Sequence, residues 1–109
     1  MTISDKAPVA LFAYRRPEHL AKTLESLRAN PECSSTELFV FSDGARSPAD
    51  AAAVEAVRDV LRGVEGFANV QVVCRDANFG LSRNVTEGIS AVLSNRPNVV
   101  VVEDDIVVT

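Results

Sequence analysis

The sequence predicts an α/β fold: a three-layer α/β/α half-domain in which a mostly parallel sheet of about four strands carries three helices. Two observations predict it. Short apolar runs without polar alternation, the mark of strands buried on both faces, take turns with segments whose leucines and valines recur at helical spacing. The connections between them are short, and a βαβαβαβ order joined that way closes into a parallel sheet with helices on its faces.

Pro8 to Tyr14 is the first such run, and it ends at Arg15-Arg16-Pro17. Pro17 suits the first position of a helix and Glu18 its positive end, while Leu20, Leu24 and Leu27 form one buried face. Asn30-Pro31 stops that helix. Glu37 to Ser42 is the second strand, running out at Asp43-Gly44. Ser47 is expected to cap the next helix, with Pro48 in its first position, Asp50 in its third, and Val54, Val57 and Leu61 turned inward. Gly63 ends it. Val70 to Cys74 is the third strand. After a turn through Asn78-Phe79-Gly80 a helix starts near Ser82, with Val85, Ile89, Val92 and Leu93 as its buried face. Asn95 to Asn98 breaks that helix before Val99-Val100-Val101-Val102, a run that suits a strand buried on both faces. The loops at 31–36 and 64–69 read as surface turns.

The 109 residues suit one domain with a real core, spanning 1–109. With 47% apolar and 24% charged residues the composition is that of a soluble globular protein. A net charge of −4 and the lack of tryptophan speak against nucleic acid as a partner, which wants a basic face or an aromatic platform. No signal-peptide core follows the polar start, and no run reaches the length of a membrane span, so a cytoplasmic location is expected, with peripheral membrane association of a longer parent protein left open. Cys33, Cys74 and His19 do not form a zinc pattern; the cysteines read as reduced and structural, His19 as a helix-surface residue.

Ligands of open parallel sheets bind beyond the carboxyl ends of the strands. Every predicted strand delivers polar residues there: Tyr14-Arg15-Arg16, Asp43-Gly44, Arg75-Asp76 and Glu103-Asp104-Asp105, together five acids and three arginines. Each pair alone is an ordinary polar loop. The acids peak, however, after the most apolar strand, where clustered carboxylates repel one another unless a cation shares them. Hard oxygen ligands of this kind suit Mg²⁺ or Mn²⁺ on a phosphate. In extended backbone Glu103 and Asp105 share one side, so that pair would chelate while Asp104 turns the other way. Asp43 suits a base or ribose contact, or an Asx-turn, and Gly44 would let backbone approach a ligand. Arg15 and Arg16 either offset phosphate charge or pair with Glu18. The loop from Asn78 to Asn84, with Gly80 and Arg83, runs into a helix N-terminus suited to an anion. Neither a Walker loop nor a GxGxxG turn is present.

Four landmarks occur here in the order of a known family. They are Tyr14-Arg15-Arg16-Pro17-Glu18-His19-Leu20, Val40-Phe41-Ser42-Asp43-Gly44, Asn78-Phe79-Gly80-Leu81-Ser82-Arg83-Asn84, and Val101-Val102-Glu103-Asp104-Asp105. Over nearly the whole chain they resemble the nucleotide-sugar-binding, Rossmann-like half of a GT-A glycosyltransferase, of family 2 and the related N-acetylglucosaminyltransferase I group. The last landmark looks like the family's DxD metal motif in a Glu-Asp-Asp form. The resemblance implies transfer of a sugar from a UDP-, GDP- or dTDP-linked donor to the hydroxyl of an acceptor glycan or other compound. It implies Asp105 as the ligand of Mn²⁺ or Mg²⁺, with Glu103 departing from the commoner acid and its contact left open. Asp104 would reach the ribose and Asp43 the base, while Tyr14, Arg15, Arg16, Gly80 and Arg83 fall in the donor-binding segments. In such enzymes the general base and acceptor site follow the metal motif, so the base is expected beyond Thr109. A truncated donor-binding domain is therefore expected, inactive by itself, whose fourth strand pairs on one side and invites self-association.

Two other classes compete. A sugar-phosphate nucleotidylyltransferase has a similar sheet but wants a glycine-rich basic loop after the first strand. A non-catalytic receiver-like module wants acids where this chain has arginines.

Overall fold

The computed structural model describes residues 7–104. Its elements follow the predicted order: β1 (Val9–Ala13), α1 (Pro17–Arg28), β2 (Glu37–Ser42), α2 (Ala51–Arg62), β3 (Asn69–Cys74), α3 (Leu81–Leu93) and β4 (Val100–Glu103). All strand pairs are parallel, in the order β3-β2-β1-β4. The first two crossovers step outward from β1, and the third returns across it to place β4 on the other side.

Strand alternation divides the core into two layers. Val9, Leu11, Val40 and Val102 face Leu20 and Leu24 of α1 and Val57 and Leu61 of α2. Ala10, Phe12 and Phe41 face the opposite way, against Val92 with Val85 and Ile89 of α3. Register explains the grouping: Leu11 lies opposite both Val40 and Val102, and Phe12 lies opposite Phe41. The Phe12 and Phe41 rings stack with centroids 5.3 Å apart. Helix α3 can lie close to this pair because Gly88 has no side chain; a Cβ there would stand 2.5 Å from Phe12 Cε1.

Several expectations are corrected. The valine run is not buried on both faces: Val102 is 7% exposed, but Val100 and Val101 are 49% and 43% exposed, because β4 has an open outer edge among the described residues. On α3 the inward line is Asn84, Gly88 and Val92, four residues apart, which leaves Leu93 turned outward. The second helix does not begin at Ser47. A single 3-10 turn over Pro48–Asp50 comes first, and α2 starts at Ala51 with no side-chain cap. Its first carboxylate, Asp50, is engaged elsewhere. The third helix starts at Leu81, one residue ahead of expectation. Cys33 donates weakly to the carbonyls of Arg28 and Gly66, whereas Cys74 is exposed on β3. His19 is exposed, as predicted. Among the described residues no helix is long and apolar enough to cross a membrane.

Candidate functional site

The strand order reverses at β1, and the ends of β1 and β4 are where loops lead off in opposite directions. Such a switch point leaves a crevice beyond the carboxyl ends of the strands. Here the crevice is a cleft of about 300 Å³, floored by Phe12 and Ala13 and walled by all four strand-end segments.

The β1 exit makes one lip. The Tyr14 hydroxyl donates to Asp50 Oδ2 at 2.7 Å and accepts from the Arg46 backbone N–H at 3.1 Å. Arg15 Nη1 donates to Asp50 Oδ1 at 2.8 Å. The hydrogen bond from Tyr14, followed by that from Arg15, holds the Asp50 carboxyl below the usual carboxylate range. Partial burial and the bond to Asp50 raise the Tyr14 phenol above its ordinary value. Arg15 is therefore paired across the loop with Asp50, and the alternative of a pair with Glu18 does not form among the described residues. Arg16 is exposed on the same lip and forms no ion pair among the described residues.

The β4 exit is fastened to that lip. Asp104 donates its backbone N–H to the Phe12 carbonyl, and its carboxylate accepts the Tyr14 N–H at 3.2 Å. Thr23, fully buried on α1, donates its hydroxyl to the Asp104 carbonyl. Glu103 is half-buried in the cleft lining.

Asp43 organises the opposite wall. It is 3% exposed, and its carboxylate accepts four donors: the N–H groups of Gly44 and Phe79, both at 2.8 Å, that of Gly80 at 3.0 Å, and Asn78 Nδ2 at 3.4 Å. A buried carboxylate satisfied by N–H donors is well solvated by the protein, and it sets the path of the turn that opens α3. The same turn needs Gly80, whose φ of +83° favours glycine. Gly44 does allow a close approach, but of the chain itself: a Cβ there would meet the Ala77 carbonyl carbon at 2.7 Å. The expectation that Gly44 opens space for a ligand is corrected accordingly.

Two arginines brace this wall from behind. Arg58 of α2 donates to the Ser42 hydroxyl and to the carbonyls of Ser42, Asp43 and Arg75, tying the ends of β2 and β3 together. Arg75 donates Nε to Asn84 Oδ1 and lies over the rings of Phe41 and Phe79; its Nη2 is buried without a hydrogen-bond partner among the described residues. Asn84 in turn donates to the Phe41 carbonyl.

The fold thus brings Tyr14, Arg15, Arg16, Asp43, Gly80, Glu103 and Asp104 around one cleft. Arg83 is not among its lining residues; it lies over the Phe79 ring and pairs with Glu87, which lowers the Glu87 pKa. Asp105, the expected metal ligand, lies outside the described residues, and among those described no group of three His, Cys, Asp or Glu could hold a metal ion. Asn78 and Asn84 bound the loop whose sequence suits an anion, and both line the cleft, whereas no pattern in the sequence marks Asp50 or Arg46 for it. No curated protein matches the chain. The profile of glycosyl transferase family 2, however, matches residues 9–109, from the first strand through the Glu103-Asp104-Asp105 segment, and on that match, together with the parallel sheet and its cleft, the chain belongs to glycosyl transferase family 2.

Proposed function

We propose that this chain forms the donor-binding domain of a metal-dependent glycosyltransferase that moves a sugar from a nucleoside diphosphate sugar to an acceptor hydroxyl. The observation that carries the reading is the convergence of Tyr14, Arg16, Asp43, Glu103 and Asp104 on one cleft at the switch point of the sheet. The carboxylates of Glu103 and Asp104 in this cleft would repel a diphosphate unless a cation offsets the repulsion. Mg²⁺ and Mn²⁺ are commonly held by one or two carboxylates plus substrate phosphates, a donor set that Glu103 and Asp105 would complete. When bound, the ion supplies Lewis-acid stabilisation of the departing diphosphate. The protein's own part is to shape the pocket, with Arg16 offsetting phosphate charge and Asp104 turned toward the ribose.

In this structure the Asp43 carboxylate is occupied by Gly44 and by the turn over Asn78, Phe79 and Gly80, so its role is to hold the donor-side wall, and a base contact would require one of those bonds to be exchanged. The finer likeness to the N-acetylglucosaminyltransferase I group rests on the four sequence landmarks taken together. No general base is assigned among residues 1–109, and the isolated chain is proposed to bind donor without transferring sugar.

Titration with UDP, GDP and dTDP, each with and without Mn²⁺, tests the reading. Metal-dependent binding of one nucleotide, abolished by Asp105→Ala, is the expected result. Equal binding after chelation of the metal would overturn the metal-dependent reading.

A further inference from the structure

We propose that Asp50 is a positioning residue for this cleft: its carboxylate fixes the Tyr14 ring and the Arg15 guanidinium on one lip and cancels the charge of Arg15 there. The proposal rests on the donor-site reading above and deepens it, since it says which side chains of the lip are available to a ligand.

The position of Asp50 shows that its side chain serves the lip and not its own helix. An acid just ahead of a helix ordinarily turns back to accept the first backbone N–H groups. Asp50 stands at that place before α2 and makes no such bond. Both of its oxygens leave the helix, Oδ2 for the Tyr14 hydroxyl and Oδ1 for Arg15, residues 36 and 35 positions away in sequence. The carboxylate side chain is 15% exposed while Arg15 is 51% exposed, so the acid is the anchored member and the arginine the tethered one.

The Tyr14 hydroxyl is saturated by these contacts. It donates to Asp50 and accepts from the Arg46 N–H, which leaves the ring, not the hydroxyl, as what Tyr14 presents to the cleft. Arg15 stands 5.6 Å from the centre of that ring, so one carboxylate orders both side chains. With Arg15 paired, Arg16 and Arg46 are the cleft-lining arginines that form no ion pair among the described residues. A ligand then meets a prearranged Tyr14 with Arg16 and Arg46 lining the same cleft. Prearrangement raises affinity because side-chain freedom is lost on folding and not on binding.

Tyr14 is the single tyrosine of the chain and there is no tryptophan, so its phenol can be followed directly by absorbance and emission. The test compares wild type, Asp50→Asn and Tyr14→Phe, all checked for an unchanged thermal melt. In Asp50→Asn the phenol is expected to ionise at lower pH than in wild type. Affinity for the nucleotide that wild type binds with Mn²⁺, measured at a salt concentration that screens the released Arg15 charge, is expected to fall about three- to tenfold, the scale of ordering one or two side chains. A variant carrying both Asp50→Asn and Tyr14→Phe is expected to lose less than the two single losses added together, since both remove the Tyr14–Asp50 contact. A phenol titration identical in wild type and Asp50→Asn overturns the proposal. So does full nucleotide affinity in Asp50→Asn with an altered phenol. If Asp50→Asn fails to fold, Tyr14→Phe, which deletes one hydroxyl, decides by the same binding measurement. A wild-type chain that binds none of UDP, GDP and dTDP overturns the donor-site reading instead, and the phenol titration still decides whether Asp50 holds Tyr14.

Discussion

The Asp43 carboxylate accepts the backbone N–H of Gly80 at 3.0 Å, so the end of the second strand holds the turn that opens the third helix. The two residues are 37 positions apart, and nothing local to either explains the contact. Asp43→Ala would leave the N–H groups of Gly44, Phe79 and Gly80 without their acceptor. Stranded donors cost about 1–3 kcal/mol each when buried, less where water reaches them, so a total near 3 kcal/mol is expected. For a domain of this size that lowers the melting temperature by about 12 °C. A thermal melt followed by far-UV circular dichroism measures it, and a melt matching wild type would count against the role assigned to Asp43.

Gly88 lies under the stacked Phe12 and Phe41 rings. Alanine in a helix interior gains about 1 kcal/mol over glycine. Here its methyl group would sit 2.5 Å from Phe12 Cε1 and 2.9 Å from Phe41 Cδ2, and two rigid rings packed on each other have no room to yield. Overpacking of this kind costs about 1–3 kcal/mol, and a clash this close belongs at the upper end. Gly88→Ala is expected to destabilise by about 2 kcal/mol net in urea titration. A gain in stability would mean that α3 can lift off the sheet at little cost.

Arg16 is a cation of the cleft lip that no described carboxylate engages. Arg16→Ala is expected to weaken binding of the preferred nucleoside diphosphate about fivefold at low salt, the scale of one exposed charge contact. Binding of the corresponding nucleoside, which carries no phosphate, should not change. Added salt should narrow the difference between wild type and variant. Calorimetry with both ligands separates the outcomes, and an equal loss for nucleoside and diphosphate would remove Arg16 from any phosphate role.

Glu37 and Arg96 join the start of β2 to the loop before β4 through two hydrogen bonds, Nε to Oε1 at 2.7 Å and Nη2 to Oε2 at 2.6 Å. The bond from Arg96 holds the Glu37 carboxyl below its ordinary pKa. A carboxyl depressed on folding contributes stability that is complete above its unfolded pKa and is lost as pH falls through the folded one. Arg96→Gln should therefore be less stable than wild type near neutral pH, and the gap should close at a pH well below the usual glutamate range. Both partners are partly exposed, so the effect is small and weakened by salt. Urea midpoints for the two proteins across that range test the sign.

Much of the fold was legible from spacing. Leu20 and Leu24 recur at one helical face, and Leu11 and Phe12 sit on opposite sides of a strand, because burial follows the local period of the backbone. Edges were not legible in that way. Val100 and Val101 look like Leu11 and Phe12 to any local rule, and their exposure follows from which strand lies outermost. The cleft was half legible. Polar residues at strand ends marked Tyr14, Arg16, Asp43 and Glu103, since a parallel sheet collects those ends on one side. Arg83 belongs to the Asn78 to Asn84 segment that resembles a donor-binding region, yet a helix turns each successive side chain by a large angle and Arg83 does not line the cleft.

By itself the amino-acid sequence determined the layers, the order of the elements and the side of the sheet on which the chemistry collects. These depend on the period of apolar residues and on the rule that short βαβ links make parallel strands. The tertiary structure alone decided which charge meets which: Arg15 with Asp50 and not Glu18, Asp43 with the turn at Gly80, Arg58 with three carbonyls. A charged side chain takes whichever partner the folded backbone brings within hydrogen-bond reach, and that partner is set by strand order and register, which no local pattern encodes.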